Sequence, residues 1–157
     1  MALRLPAFEA RLRVRERRHP KLYWVDPGLV RAAKRQMGPV RSGGALLEGW
    51  VLTVLRAHNE VASIFDDVWY WAPAQSQATE VDFLLRRGRE YLALEVKARP
   101  RVSGRELAGL RAVSDLEGLV RRVLGYLGPR KLRTDDGIDI WPVADWLDAL
   151  EDGNLWP

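Results

Sequence analysis

Glu48, Asp82, Glu95 and Lys97 are the residues of this sequence whose types and placement could do chemistry. Three of them fall in "TEVDFLLRRGREYLALEVKA" (79–98), two apolar arms around a short polar turn. Side chains alternate along a strand, so Glu95 and Lys97 share one face while Leu94, Val96 and Ala98 take the other. With "RGRE" (87–90) as the turn, Arg86 pairs with Tyr91, Leu84 faces Ala93 and Asp82 lies opposite Glu95. Directly opposed residues have Cβ atoms about 4.5–5.5 Å apart, and two carboxylates at that separation repel. A divalent cation removes the conflict, because Mg²⁺ takes one or two carboxylates together with water and substrate phosphate oxygens. Lys97 would reach over the same place. The competing reading is a solvent-facing strand that carries Glu and Lys without further purpose. Lysine is scarce here, since 21 of the 25 cationic residues are arginine. Its compact ammonium has a pKa that shifts, a part arginine cannot play. Glu48 stands among apolar neighbours in "GALLEGW" (44–50), where a helix-surface glutamate is the plain alternative.

The elements that must position these residues are readable from periodicity and from chain breakers. "KLYWV" (21–25) reads as a short strand, after which Asp26 caps a helix with Pro27 at its first position, running towards Met37. "GPVRSGG" (38–44) reads as a loop. From Ala45 onward, Leu46, Leu47, Trp50, Val51, Val54 and Leu55 recur at helical spacing on one broad face. A strand over 68–71 and a polar connection, "APAQSQAT" (72–79), lead into the hairpin. A helix is expected over about 104–113, with Ser103 as cap and Leu107 and Leu110 facing inward. "EGLVRRVLGYLG" (117–128) fits helix or strand by pattern, and its flanking glycines and Pro129 favour a strand. "GIDIWPV" (137–143) is a strand and "ADWLDAL" (144–150) a closing helix. That succession argues a mixed α/β sandwich.

A chain of 157 residues suits one domain, and seven tryptophans in a sequence 47% apolar can bury a sizeable core. No apolar run is long enough to span a bilayer, and the N-terminus lacks the stretch of a signal peptide. The expectation is a cytoplasmic protein without membrane association. The absence of cysteine excludes a disulfide framework, a thiolate zinc site and a cysteine nucleophile, and two histidines cannot make a His-rich metal site. Charge is uneven: residues 1–41 hold eleven Lys/Arg against three acids, whereas seven acids and no base follow Arg133. Arg13, Arg15, Arg17 and Arg18 in "RLRVRERRHPK" (11–21) are candidate phosphate contacts, which act by releasing condensed counterions. A solvated face, or docking on the acidic end, would use the same residues. Arg99 and Arg101, just past Lys97, are further candidates for DNA contact. Trp69 and Trp71 read as core aromatics on one strand face rather than a stacking platform for bases. Trp141 and Trp146 also read as core, and His58 as a residue near a helix C-terminus.

A helical Glu48, then "EVDF" (80–83), then "EVK" (95–97) at the end of the next strand resembles the PD-(D/E)XK nuclease superfamily. The wider chain resembles the DUF4143 domain, which usually forms the C-terminal part of archaeal and bacterial AAA+ ATPases. The pieces that carry this likeness are "KLYWVDPGL" (21–29), "GALLEGWVL" (44–52), "EVDFLL" (80–85), "LALEVKA" (92–98) and "GIDIWPVADWL" (137–147). Even "LPAFEARLRVRERRHP" (5–20) looks like the segment before that domain. The resemblance implies an α/β fold with a restriction-endonuclease-like αβββαβ core, its mixed central sheet flanked by helices. It would occupy 21–157, behind a basic N-terminal extension over 1–20. It implies Asp82 and Glu95 as direct ligands of Mg²⁺ (or Mn²⁺), the main-chain carbonyl of Val96 as a third, and Glu48 acting through water. Lys97 would orient or help deprotonate the attacking water and stabilise charge on the phosphate. The implied activity is metal-dependent hydrolysis of phosphodiester bonds in DNA. The alternative is a non-catalytic DNA- or protein-binding C-terminal module of an AAA+ ATPase-type protein. No G-x-x-x-x-G-K-[ST] motif occurs, so ATPase activity does not carry over. A separate ATPase partner, or a missing N-terminal ATPase domain, would then be expected, and a homo-oligomer is compatible with the chain.

Overall fold

The computed structural model describes residues 2–10, 15–26, 28, 32, 43–74 and 79–157. Among these, the strands are β1 (Ala2–Leu5), β2 (Lys21–Trp24), β3 (Asp67–Trp71), β4 (Val81–Arg87), β5 (Glu90–Lys97), β6 (Leu119–Tyr126), β7 (Leu132–Arg133) and β8 (Asp139–Pro142). The helices are α1 (Gly43–Ala62), α2 (Ala108–Ala112), entered through a 3₁₀ turn (Gly104–Leu107), and α3 (Val143–Glu151).

The hairpin forms in the register that the alternation dictates. Arg86 pairs with Tyr91, Leu84 with Ala93 and Arg87 with Glu90. Gly88 turns the chain at φ +62°, a left-handed conformation that residues with a Cβ rarely adopt. This hairpin lies within a six-stranded sheet of order β3-β4-β5-β6-β8-β7. The β3–β4, β4–β5 and β8–β7 pairs are antiparallel, whereas β5–β6 and β6–β8 are parallel. Parallel neighbours need a crossover, and the 3₁₀ turn with α2 supplies the one between β5 and β6.

Both sheet faces are covered, which explains why β4 and β5 read as nearly continuous apolar runs. On one face Phe83, Leu85, Leu92, Leu94 and Val96 pack with Val51, Leu52 and Leu55 of α1 and Trp146 and Leu150 of α3. On the other, Leu84, Ala93 and Leu124 pack with Leu107 and Leu110, the two residues expected to face inward. Trp71 and Tyr70 are both buried but in different layers, as strand alternation requires. Glu106 accepts hydrogen bonds from the backbone N–H and the hydroxyl of Ser103 (2.8 and 2.5 Å), fixing the entry to the 3₁₀ turn.

Some elements differ from expectation. The helix begins at Gly43, so Gly43 and Gly44 belong to α1 rather than to a loop. Its buried residues are Gly49, Val51, Leu52 and Leu55, while Leu46, Leu47, Trp50 and Val54 are half-buried. Gly49 sits against the Tyr23 ring and lets α1 approach β2 there, which turns Leu52 into the core and leaves Leu46 nearer its edge. The segment 104–113 is a 3₁₀ turn followed by a short α-helix. β1 and β7 were not anticipated; β1 pairs antiparallel with β2 and buries Leu5 completely. Beyond β1 the chain runs along β3: Phe8 N–H donates to Tyr70 O (2.8 Å), Tyr70 N–H to Pro6 O (3.0 Å) and Arg17 N–H to Ala72 O (2.9 Å). An otherwise open sheet edge is thereby covered. Most of the helix expected after Asp26 lies outside the described residues, but Gly28 and Ala32 are helical and the Gly28 N–H donates to Asp26 Oδ1 (2.7 Å).

One close approach ties α2 to the residue that precedes β4. A Cβ placed on Gly109 would lie 1.7 Å from the carbonyl oxygen of Glu80 and 2.5 Å from its carbonyl carbon. Gly109→Ala must therefore push two backbones apart, and overpacking of this kind costs roughly 1–3 kcal/mol. Gly44, exposed in α1, has no such neighbour, because a Cβ there would meet nothing within 4 Å. Urea unfolding should show Gly109→Ala destabilised by about 2 kcal/mol or more. Gly44→Ala, in the first turn of α1, should be neutral or stabilising by less than about 1 kcal/mol.

Candidate active site

The site begins with a break in strand pairing. β3 pairs Trp69 with Leu84 but Trp71 with Val81, so β4 carries one extra residue in the stretch that contains Asp82. Such a bulge re-aims side chains. The regular β4–β5 register is followed as far as Phe83–Leu94, and beyond it the two acids bond to backbone. The Asp82 N–H donates to Glu95 Oε2 (3.0 Å), and the Val96 N–H donates to Asp82 Oδ2 (3.0 Å). Each carboxylate thus holds the opposite strand's main chain. β5 itself stays in register with β6 through Lys97–Tyr126. Asp82 is 0% exposed and Glu95 3%.

Two lysines offset this buried charge. The Lys97 ammonium is ion-paired with Glu95 Oε1 on the same strand face. Lys21, from β2, stands 3.2 Å from Glu80 Oε1, 3.6 Å from Asp82 Oδ1 and 3.7 Å from Glu48 Oε2. The Tyr23 hydroxyl, two residues along the same strand, donates to Glu48 Oε2 (2.7 Å). Four carboxylates therefore meet two ammonium groups and a phenol. Asp82 Oδ1 is buried and accepts no hydrogen bond. Asp139, the third buried acid, is differently served, with the guanidinium groups of Arg121 and Arg133 3.5 and 3.6 Å from its two oxygens.

The electrostatics follow from this arrangement. Burial first, and then the nearby Glu48 charge, pushes the Asp82 carboxyl up to about 7, against the opposing pull of Lys21 and Lys97. Burial and the charge on Asp82 likewise raise Glu95 well above the ordinary carboxylate range. Burial alone would lower both lysines, but the surrounding carboxylates outweigh it and hold Lys21 and Lys97 above their ordinary value. Both are cations at neutral pH. In this arrangement Lys97 can orient a water or stabilise an anion, but it is not a free base.

Asp82 and Glu95 offer the hard oxygen donors that Mg²⁺ and Mn²⁺ take, and the orphaned Asp82 Oδ1 is an acceptor in need of a cation. Glu48 approaches from α1, with its Oε2 engaged by Tyr23 and Lys21. Among the described residues no group of three Asp, Glu or His side chains could hold a metal together. Val96 enters through its N–H, which is bound to Asp82. Arg99 follows β5 and pairs with Glu106 (3.4 Å), while Arg101 is exposed. Arg15, Arg17 and Arg18 line a cavity of about 1020 Å³ with His19, Lys21 and Tyr70, so Lys21 borders both the cavity and the acids. Arg13 lies outside the described residues.

Lys21, Tyr23 and Glu80 were not singled out from the sequence, yet they complete the cluster. A signal existed: alternation in "KLYW" puts Lys21 and Tyr23 on one side of a strand, and Lys21 is one of only four lysines.

Comparisons with known proteins support the domain assignment. The family model of a domain of unknown function, DUF4143, matches residues 43–146. No curated protein matches the sequence. The crystal structure of protein VC1899 from Vibrio cholerae is similar at 20% identity with a TM-score of 0.47, over 69% of this chain and 31% of that one. The chain thus spans less than a third of that protein's length. With its family model matched over most of the sequence, the chain belongs to the DUF4143 family.

Proposed function

We propose that this chain is a metal-dependent hydrolase of phosphodiester bonds in DNA, built on a restriction-endonuclease-like core. The observation that carries this reading is the buried Asp82–Glu95 pair with Lys97 beside it and an unsatisfied Asp82 oxygen. Burying two carboxylates side by side costs stability unless a cation compensates them. Asp82 and Glu95 would hold Mg²⁺ or Mn²⁺, which when bound supplies Lewis-acid activation of the phosphate and an acidified water. The chain's own part is positional. The Val96 N–H keeps Asp82 Oδ2 in place and leaves Oδ1 without a hydrogen bond. Lys97, held cationic by Glu95, stabilises developing negative charge on a phosphate oxygen and orients the attacking water. Glu48, fixed by Tyr23, contributes negative potential to the site rather than a direct ligand. Arg99 and Arg101 would meet the DNA backbone beyond β5.

A second reading, a non-catalytic DNA- or protein-binding module of an AAA+ ATPase-type protein, is favoured by one observation. Lys21 already ion-pairs with Glu48, Glu80 and Asp82, which a purely structural cluster would also require.

Cleavage of single-stranded, double-stranded and branched DNA with Mn²⁺ separates the two. The wild-type chain should cleave at least one of them, and Asp82→Asn and Lys97→Met should each lose on the order of 10²–10⁴-fold in rate. Absence of cleavage by the wild type, or equal cleavage by both variants, would remove the assignment. Stability offers an independent check. The folded Asp82 binds its proton up to about pH 7, whereas an unfolded aspartate releases it near pH 4. The folded state therefore holds more protons across that window, Glu95 acting in the same sense, and stability should fall as pH rises from about 4 to about 7. Chemical denaturation without divalent metal should show this slope, and millimolar Mn²⁺ should flatten it.

A further inference from the structure

The position of Lys21 has a meaning beyond charge balance. Its ammonium lies among three carboxylates, with Asp82 buried completely and the Glu48 and Glu80 side chains mostly so. The distances are unequal in kind. Only Glu80 receives a hydrogen bond from Lys21 (3.2 Å), while Asp82 Oδ1 at 3.6 Å and Glu48 Oε2 at 3.7 Å feel its charge without one. Asp82 Oδ1, the acceptor that has no hydrogen bond, is therefore an oxygen that the ammonium faces only loosely. A divalent cation at that oxygen would stand beside a positive charge in a site largely closed to water, where like charges repel strongly.

We propose that Lys21 is a built-in counter-ion that competes with the divalent cation for Asp82, and that metal uptake displaces its ammonium from Asp82. This deepens the metal-dependent reading and rests on it. The displaced group has somewhere to go. Glu80 is already its hydrogen-bond partner, the Tyr70 ring lies 5.1 Å away, and the arginine-lined cavity opens on the same side chain. Lys97 does not share this role, because it is ion-paired to Glu95 from the same strand and faces no unsatisfied oxygen of its own. The arrangement keeps the buried acids compensated when no metal is present and sets the metal affinity lower than two buried carboxylates would give alone.

Two measurements test this. Calorimetric titration with Mn²⁺ should show Lys21→Met binding at least tenfold more tightly than the wild type. In the wild-type chain, reductive methylation read by mass spectrometry should mark Lys21 at least threefold faster at saturating Mn²⁺ than without it. Lys131, which pairs with Asp145 away from the site, serves as the internal reference. The labelling experiment needs no variant, so it stands even if Lys21→Met fails to fold. Equal or weaker Mn²⁺ binding by a folded Lys21→Met, or unchanged Lys21 labelling in a wild type that binds Mn²⁺, overturns the role of Lys21 and leaves the metal reading intact. No Mn²⁺ binding by either protein overturns both. Binding by the variant alone supports the competition in its strongest form.

Discussion

The burial of Asp82 and Glu95 is the constraint on which the rest of the structure depends. Removing an ion from water costs several kcal/mol even after relaxation, and the cost is recovered only by close partners of opposite charge and by hydrogen bonds. Here two backbone N–H groups and two ammonium groups supply those partners. They come from widely separated parts of the chain. β2 brings Lys21, β5 brings Lys97, and the opening of the β4–β5 pair supplies the N–H groups. The β1–β2 ribbon on the α1 side therefore does more than cover the core, since it delivers the cation that makes Asp82 tolerable there.

The choice of lysine carries information in a chain so rich in arginine. At Asp139 the fold buries an acid between Arg121 and Arg133, where guanidinium groups supply fixed, permanent charge. At Asp82 and Glu95 it uses two of its four lysines instead. An ammonium is a compact charge on a flexible stem, able to leave one carboxylate for another without breaking a planar pair of bonds. The first arrangement suits a permanent structural pair, and the second suits a site whose cation content changes.

How much of this the sequence disclosed depends on whether the determinant is local. The register of the hairpin was legible, because a glycine turn and strict alternation define it, and Arg86–Tyr91 and Leu84–Ala93 pair as expected. The strand over 119–126 was legible for the same reason, through its flanking glycines. The bulge in β4 was not, since it is visible only in the pairing of Trp69 and Trp71 with a neighbouring strand. Lys21 was missed because its partner Glu80 is 59 residues away, and no periodicity reports a contact across that separation. The inward face of α1 was partly misjudged, because Gly49 lets the helix approach Tyr23 and brings Leu52 inward. Where the determinant was a tertiary contact, pattern alone could not supply it.

The two strands that carry the acids are held in different ways, and this shapes the site. β5 lies between β4 and β6, and its parallel register with β6 continues through Lys97, so Glu95 and Lys97 ride on backbone that is fixed on one side. β4 is bulged around Asp82, and Glu80, just before the strand, is pressed against α2 through Gly109. One half of the acid pair thus sits on a regular strand, while the other is set by a bulge, a helix contact and hydrogen bonds with Glu95 and Val96. The position of Asp82 is consequently fixed by several separate contacts rather than by one continuous ladder. It is also the carboxylate that Lys21 addresses and that retains an unsatisfied oxygen. The two halves of the pair are thus placed by different means, one by a continuous parallel ladder and the other by a bulge whose carboxylate reaches across to β5.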